Sequence, residues 1–141
     1  TKYEIIEKIN SQIKYRDFWM PFCPTILKRS ASKYLENINY DNSKHMTMAY
    51  SINHKYKNKL VSTIHNADNT CRPQVLESSS NPDYYNLIDE LSKLNKSDAI
   101  LNTSFNLHGN PIVSDQDDVL DTFLNSNLDG VLLDKTLIMR K

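Results

Sequence analysis

The stretch that decides the fold is Leu101-Asn102-Thr103-Ser104-Phe105-Asn106-Leu107-His108-Gly109-Asn110-Pro111-Ile112-Val113. It follows the apolar pair Ala99-Ile100, and it contains one of only two glycines in the chain. An apolar run that ends in polar residues and then in Gly and Pro predicts a buried strand that opens into a turn. Asn, Thr and Ser are poor packing material but good hydrogen-bonding groups. The end of this strand is therefore a candidate binding site for a polar ligand.

Helical and strand patterns alternate along the rest of the chain. Apolar spacing predicts an amphipathic helix over 3–14, a short helix over 30–36 and a helix from the Asn81 cap to Leu94. The capping box at 114–117 predicts a further helix that buries Val119, Leu120, Phe123 and Leu124. Segment 18–27 is expected to be extended, buried and irregular. The other predicted strands cover 46–52, 60–65, 71–76, 98–102, 129–133 and 136–139. This mixture predicts an α/β or α+β fold with a twisted mixed sheet and packed helices.

Length and composition predict one globular domain over residues 1–141. Hydrophobic residues make up 39% and charged residues 24% of the chain, which is sufficient for a core. The 17 basic and 17 acidic residues cancel, so charge gives no sign of a nucleic-acid or membrane surface. The absence of a signal-peptide pattern and the two distant cysteines favour a cytoplasmic protein with structural thiols. Because the first residue is not Met, we expect a processed chain or a piece of a longer protein.

Two further segments have the composition of a binding site. Segment 14–25 begins with the cations Lys14 and Arg16 and continues into a dense group of aromatic residues and prolines. It is either a helix end decorated with cations or a rigid support for an arginine that binds an oxyanion. Segment 65–74 is either a solvated hairpin tip or a site where Arg72 makes a bidentate contact with phosphate or carboxylate.

The sequence excludes two common kinds of site. Two glycines cannot form a glycine-rich phosphate loop, so a phosphate would be bound by basic side chains, hydroxyls and backbone amides. The four histidines have no zinc spacing, and we predict no metal site. The acidic residues from Asp115 to Asp121 are expected to form the first turns of a helix.

Taken in order, these segments resemble the C-terminal domain of the O-carbamoyltransferases, the nodulation-factor, cephalosporin and aminoglycoside carbamoylating enzymes. The resemblance covers residues 5–141, essentially the whole chain. The matching motifs are Ile9-Asn10, Ile13-Lys14-Tyr15-Arg16-Asp17, Pro21-Phe22-Cys23-Pro24-Thr25, His65, Asp68-Asn69-Thr70, Arg72-Pro73-Gln74, Asn81-Pro82-Asp83-Tyr84, the run 102–113, and Leu128-Asp129.

The resemblance implies a YrdC-like α/β fold and a specific activity. Such a domain binds carbamoyl phosphate and ATP, with Mg²⁺ accompanying the ATP, and forms a carbamoyl-adenylate with release of pyrophosphate. A separate, larger N-terminal domain of the actin-like ATPase superfamily, which uses iron, then passes the carbamoyl group to the hydroxyl of a small-molecule acceptor. That larger domain is expected to be absent from this chain, which would perform the activation half-reaction.

The resemblance also assigns roles to individual residues. The expected catalytic residues are Arg72, which offsets negative charge, and Asn102 and Ser104, whose donors and acceptors suit a carbamoyl group. His65 is expected either to orient a phosphate or to be structural. The expected substrate-binding residues are Lys14, Arg16, His65, Thr70, Thr103 and Asn106.

Four departures from the family pattern leave alternatives open. Met20 stands where the family usually has an arginine, Asn69 replaces a glycine and Asn110 replaces a glutamate. Lys96-Ser97-Asp98 stands where a Gly-x-Pro usually precedes the Asn-Thr-Ser strand. One alternative is a non-catalytic ligand-binding or docking module of a larger enzyme, which would bind without turnover. The other is an acyl-adenylate former like the threonylcarbamoyl-adenylate synthases, which would depend on bicarbonate and threonine.

Overall fold

The computed structural model describes residues 2–17 and 20–141 as two compact units. One unit comprises the chain before Trp19 together with the chain after Thr103, and the other is the continuous segment between them. We call these the terminal unit and the central unit. Phe18 and Trp19, which belong to the segment predicted to be extended, lie outside the described residues. Helices and strands alternate along the chain, which confirms the mixed α/β class.

A three-stranded mixed sheet organises the central unit. Its middle strand, β1 (Cys23–Leu27), pairs in parallel with β4 (Gln74–Leu76) and antiparallel with β5 (Ala99–Asn102). The short strands β2 (Tyr50–Ser51) and β3 (Thr70–Cys71) form a separate antiparallel pair. Strand β5 is the strand predicted from the apolar run before the polar stretch, and the structure confirms it.

Two helices of the central unit supply apolar groups to its cores. Helix α2 (Lys28–Tyr34) starts directly after β1, and Ala31 and Tyr34 enter a core with Ile26 of that strand. Helix α3 (Pro82–Asn95) starts at the Asn81 cap, whose side chain accepts a hydrogen bond from the Tyr84 amide, as predicted. On α3, Ile88 is fully buried in a second core with Leu27 and Leu76.

The terminal unit contains two helices and a hairpin. Helix α1 (Lys2–Ile9) continues into a π-helical segment over Asn10–Lys14. Helix α4 (Gln116–Leu124) is capped by Asp115, and the hairpin consists of β6 (Gly130–Leu133) and β7 (Thr136–Met139). A Cβ at Gly130 would lie 2.6 Å from the sulfur of Met139 and 3.0 Å from the Ile138 carbonyl oxygen, so the Met139 side chain would have to move to make room for it.

Several predictions about elements and burial are wrong. Residues 60–65 do not form a strand, because Val61–Thr63 is a 3-10 turn and His65 makes only an isolated bridge to Thr70. The strand predicted over 46–52 is reduced to Tyr50–Ser51, and the strand over 71–76 is split by Arg72 and Pro73 into β3 and β4. On α4, Phe123 is buried, but Leu120 and Leu124 are exposed to 38% and 69%.

In the described part of the chain, no helix has the length and apolar character that crossing a membrane requires.

Candidate functional site

A buried lysine defines the candidate site of the terminal unit. Lys14 lies at the end of the π-helical segment and is 2% exposed. Its Nζ donates to Ser104 Oγ at 3.0 Å, to Asn106 Oδ1 at 2.6 Å and to the Asn106 carbonyl at 3.3 Å. Ser104 Oγ also donates to Asn106 Oδ1 at 2.7 Å. The structure therefore brings Lys14 together with two residues that lie 90 and 92 positions further along the chain.

The loop after Ser104 is held closed by its own hydrogen bonds. Asn106 Nδ2 donates to the Asn110 carbonyl at 2.6 Å, and the Val113 amide donates to the Phe105 carbonyl at 3.2 Å. Gly109 has a φ of +85°, a conformation that glycine adopts without strain. The polar stretch predicted to be a turn is thus a turn, and it holds the Asn106 side chain in place against Lys14.

The Lys14 ammonium has no carboxylate partner among residues 2–17 and 20–141. Burial, and then repulsion from Arg16, lowers the pKa of Lys14 to about 8. Hydrogen bonds to neutral oxygens solvate the charge only in part. A bound anion would therefore find a positive charge that is already desolvated and held in place.

Arg16 follows Lys14 by two residues and is half-buried. The intervening Tyr15 has a left-handed backbone, with φ of 46°, and its amide closes the π-helical segment onto the Asn10 carbonyl at 2.8 Å. Asn10 Nδ2 donates to the Arg16 carbonyl at 3.4 Å. Asn10 Oδ1 is buried and has no hydrogen-bond partner in the described part of the protein. Sequence reasoning missed Asn10 as a candidate; its place in the Ile9-Asn10 pair of the resemblance was the available signal.

In the central unit, a polar network joins all three strands of the main sheet. Asn102 Nδ2 donates to Thr25 Oγ1 at 2.9 Å and to Gln74 Oε1 at 3.1 Å. Thr25 Oγ1 donates to Gln74 Oε1 at 3.0 Å and accepts from the Tyr84 hydroxyl at 3.2 Å. Thr25 is fully buried, so these bonds fix the amides of Gln74 and Asn102 at one end of the sheet.

The network leaves two groups for a ligand. No hydrogen bond within the described residues uses Gln74 Nε2 or Asn102 Oδ1. An amide N–H donor and a carbonyl acceptor side by side are complementary to an amide-like group. Asn102 was predicted for this role, whereas Thr25, Gln74 and Tyr84 were not. The signal for Gln74 was the Arg-x-Gln pattern of the segment that ends in it.

The turn before β3 forms the other candidate site of the central unit. His65 Nδ1 lies 2.9 Å from Thr70 Oγ1, and Thr70 donates to Asp68 Oδ1 from its hydroxyl at 2.8 Å and from its amide at 3.0 Å. These Thr70 hydrogen bonds lower the pKa of the Asp68 carboxyl. Asn69 has a φ of 58°, which confirms that it occupies a glycine-like position. Lys57 Nζ donates to Asn69 Oδ1.

Arg72 is exposed in the two-residue gap between β3 and β4, directly before the fully buried Pro73. Within the described part of the chain it has no ion-pair partner, in contrast to Arg29, which pairs with Asp89 and Asp98. An exposed, unpaired guanidinium beside a hydrogen-bonded turn is available for a bidentate contact with phosphate. Of the other predicted residues, Thr103 is half-buried at the end of β5.

No group of three or more His, Cys, Asp or Glu side chains suited to a metal ion occurs among the described residues.

Comparison with known proteins identifies the family of this chain. A family model described as the carbamoyltransferase C-terminus matches residues 1–140. The chain belongs to this family. The resemblance inferred from the ordered motifs is thereby confirmed for the carbamoyltransferase C-terminus.

Individual relatives extend this carbamoyltransferase C-terminus similarity to archaea and bacteria. The chain is 36% identical over 135 residues to an uncharacterized protein of Methanocaldococcus jannaschii, MJ1058, covering 96% of this chain and 22% of that protein. It is 30% identical over 137 residues to the nodulation protein NolO of Bradyrhizobium diazoefficiens, covering 96% of this chain and 25% of NolO. The nodulation protein NolNO of Sinorhizobium fredii is 29% identical over 136 residues, with 96% of this chain and 20% of NolNO covered. This carbamoyltransferase C-terminus thus spans a quarter or less of the length of these curated relatives.

Proposed function

We propose that this chain is the part of an O-carbamoyltransferase that binds carbamoyl phosphate and ATP and forms a carbamoyl-adenylate. The observation that carries the proposal is Lys14, a buried ammonium held by Ser104 and Asn106 without a carboxylate partner in the described structure. A protein keeps an uncompensated charge in such a place at a cost, and an anionic ligand offsets that cost. Membership of the carbamoyltransferase C-terminus family supports carbamoyl phosphate as one such anion.

The two ligands share a need for positive charge and differ in the other groups that the protein must recognise. Both carry several negative charges, and each unit offers cations that would offset such charges: Lys14 and Arg16 in the terminal unit, and Arg72 in the central unit. The carbamoyl group presents an NH₂ donor and a carbonyl acceptor, and Asn102 with Gln74 presents the complementary pair. Mg²⁺ would enter with ATP as part of the substrate, because most of the oxygen atoms that coordinate this ion belong to water and to the phosphates.

Adenylation requires positioning and charge stabilisation more than a side-chain nucleophile. Water first takes the phosphoryl group of carbamoyl phosphate as inorganic phosphate and leaves carbamate; a carbamate oxygen then attacks the α-phosphorus of ATP, and pyrophosphate leaves. Fixed cations stabilise the charge that develops on the phosphoryl oxygens. Transfer to the acceptor hydroxyl, and the iron that supports it, belong in this proposal to a separate N-terminal domain.

Calorimetric titration of the chain with carbamoyl phosphate and with ATP in the presence of Mg²⁺ tests the binding step. Arg72→Ala should weaken the affinity for at least one ligand by about 10- to 100-fold, because a charge-assisted contact is lost. Its free energy of unfolding should stay within about 0.5 kcal/mol of wild type, since Arg72 is exposed. Lys59→Ala, which removes an exposed cation of the same unit, is the matched control.

Product analysis tests the chemical step. Pyrophosphate release from ATP should depend on carbamoyl phosphate. Tight binding without release would instead identify a ligand-binding module, and a requirement for bicarbonate and threonine would identify a threonylcarbamoyl-adenylate former. If wild type binds neither ligand, the proposed function is wrong for the isolated chain. If Arg72→Ala binds as wild type does, only the role of Arg72 is wrong.

A further inference from the structure

The His65–Thr70–Asp68 contacts determine which ring nitrogen of His65 carries a proton. Thr70 has a single hydroxyl proton, and its Oγ1 lies 2.8 Å from Asp68 Oδ1 and 2.9 Å from His65 Nδ1. An ionised carboxylate can only accept, so the Thr70 proton points to Asp68. The low pKa of the Asp68 carboxyl keeps it ionised at neutral pH. His65 Nδ1 must therefore donate its own N–H to Thr70 Oγ1.

This arrangement selects one form of the neutral imidazole. With Nδ1 protonated by necessity, Nε2 is the nitrogen that gains and loses a proton. In functional sites the hydrogen bond made by one ring nitrogen of a histidine commonly determines which nitrogen carries the proton. Here that hydrogen bond goes to the Thr70 hydroxyl, and the bridge between His65 and Thr70 holds the two backbones together, with the His65 amide 2.7 Å from the Thr70 carbonyl.

The surroundings of His65 are rich in cations. Lys57 is bound to Asn69 of the same turn, and Arg72 follows Thr70 by two residues. Besides Asp68 and Arg72, the elements bonded to this turn carry Tyr50 on β2, Cys71 on β3, and His54, Lys55, Tyr56, Lys57 and Lys59 on the 3-10 segment His54–Lys59. Asp68 is occupied by Thr70, so the remaining charge favours an anion.

We propose that His65 binds a dianionic phosphate through Nε2–H, taking up a proton as the phosphate binds, with Asp68 and Thr70 as its positioning residues. This rests on the proposed function, in which the phosphate belongs to carbamoyl phosphate or to ATP. A phosphate dianion only accepts hydrogen bonds, so neutral His65 must gain a proton at Nε2 from solvent before that nitrogen can donate.

Nitrogen-15 NMR of the imidazole rings tests the tautomer without any ligand. At a pH where the rings are neutral, His65 should be protonated at Nδ1, and the exposed His45, His54 and His108 serve as internal references in the same spectrum. Thr70→Val should release His65 towards the ratio of these references, and Thr70→Ser should restore the Nδ1–H form. A His65 ring protonated at Nε2 in wild type would overturn the inference.

Proton uptake tests the role of Nε2. Calorimetry at about pH 7.5, where an ordinary imidazole is mostly neutral, is carried out in buffers of different ionisation enthalpy, with inorganic phosphate, carbamoyl phosphate and ATP as separate probes. Lys14, whose pKa is about 8, can also take up protons at this pH, but this uptake is kept in a His65 variant, so the difference from wild type isolates His65. One of the probes should bind with uptake of about one proton, and His65→Asn, which keeps a donor towards Thr70, should abolish this uptake and weaken affinity about 10- to 100-fold.

The probe that shows the uptake identifies the source of the phosphate. His65→Gln, which keeps a donor at the Nε2 position, should retain more of the affinity than His65→Asn. If wild type binds carbamoyl phosphate and ATP without proton uptake, or if His65→Asn binds as tightly as wild type, this inference is wrong and the proposed function stands. Absence of binding by wild type contradicts both.

Discussion

Lys14 combines two properties that rarely occur together in a lysine. It is almost completely buried, and the groups around its ammonium are the neutral oxygens of Ser104 and Asn106. Lysine is normally the residue that keeps its charge in water, and burying that charge without a counter-ion is costly. The lowered pKa of Lys14 expresses this cost, since burial is its largest cause.

The pH dependence of stability follows from that pKa. In the unfolded chain Lys14 titrates near 10.5, and in the folded chain near 8. Between these values the unfolded state binds a proton that the native state does not, so the free energy of unfolding should rise with pH from about 8 to about 10.5. Below about 8 both states are protonated, and the full cost of the buried charge is present.

Lys14→Met removes this contribution. The difference in unfolding free energy between wild type and Lys14→Met, measured by denaturant titration at several pH values, should favour the variant most below pH about 8 and shrink towards pH 10.5. Lys59→Met, at an exposed lysine, should show no such trend. A difference that is flat with pH would mean that Lys14 is not desolvated. The variant should also lose affinity for carbamoyl phosphate or ATP.

At the scale of elements, Thr25 connects three strands and a helix through one hydroxyl. It lies in β1 opposite Gln74 of β4, and it receives hydrogen bonds from Asn102 of β5 and Tyr84 of α3. A fully buried threonine in a strand of apolar neighbours needs such partners, because an unpaired hydroxyl there would be destabilising. The strands thereby fix the orientation of the two amides that the proposed function uses.

Thr25→Val keeps the shape of the side chain and removes the hydroxyl. It should lower the free energy of unfolding by about 1–3 kcal/mol, because the Tyr84 hydroxyl loses its partner and Gln74 loses a donor. The double variant Thr25→Val with Tyr84→Phe should be less destabilised than the sum of the single variants, since both partners are then removed. Additive losses in denaturant titrations would show that the two hydroxyls do not interact.

The sequence predicts an element of this fold correctly where the signal lies within a few consecutive residues. The Asn81 cap with Pro82, and the apolar run that becomes β5, are local signals, and both predictions are confirmed. The pattern at 60–65 was misread, because Leu60 and Ile64 are buried four residues apart around a 3-10 turn, which resembles a short strand in sequence. Burial of Leu124 could not be predicted correctly, since periodicity gives a face of a helix and not the neighbour that covers it.

The sequence predicted which residues belong to the candidate site, but not the contacts between them. Ser104 and Asn106 lie two residues apart after a strand, and their polar character alone marked them. Their contact with Lys14 joins distant parts of the chain, which no local rule predicts. The carbamoyltransferase resemblance placed all three among the expected site residues, but it did not predict that they contact one another. Thr25 was missed because a threonine in a strand is ordinary, and its role depends on neighbours from three other elements.

At the scale of the whole molecule, the chain represents a quarter or less of the length of its curated relatives. The proposed division of labour places activation of the carbamoyl group here and its transfer to an acceptor in a separate domain. This division requires that the chain bind its ligands without the acceptor domain. Ligand binding to the folded state alone must then raise the stability of the isolated chain.

Thermal unfolding measures this linkage directly. At a free concentration about one hundred times Kd, either ligand should stabilise the chain by about 2.7 kcal/mol. For a chain of this size that corresponds to a rise in Tm of roughly 10 °C. Carbamoyl phosphate should raise the Tm more than acetyl phosphate, which has the same phosphate but a methyl group in place of the NH₂. The reason is that the amides of Gln74 and Asn102 form hydrogen bonds with the carbamoyl group in this proposal. Equal stabilisation by the two compounds would mean that the chain recognises only the phosphate, and the carbamoyl specificity would then have to come from the acceptor domain.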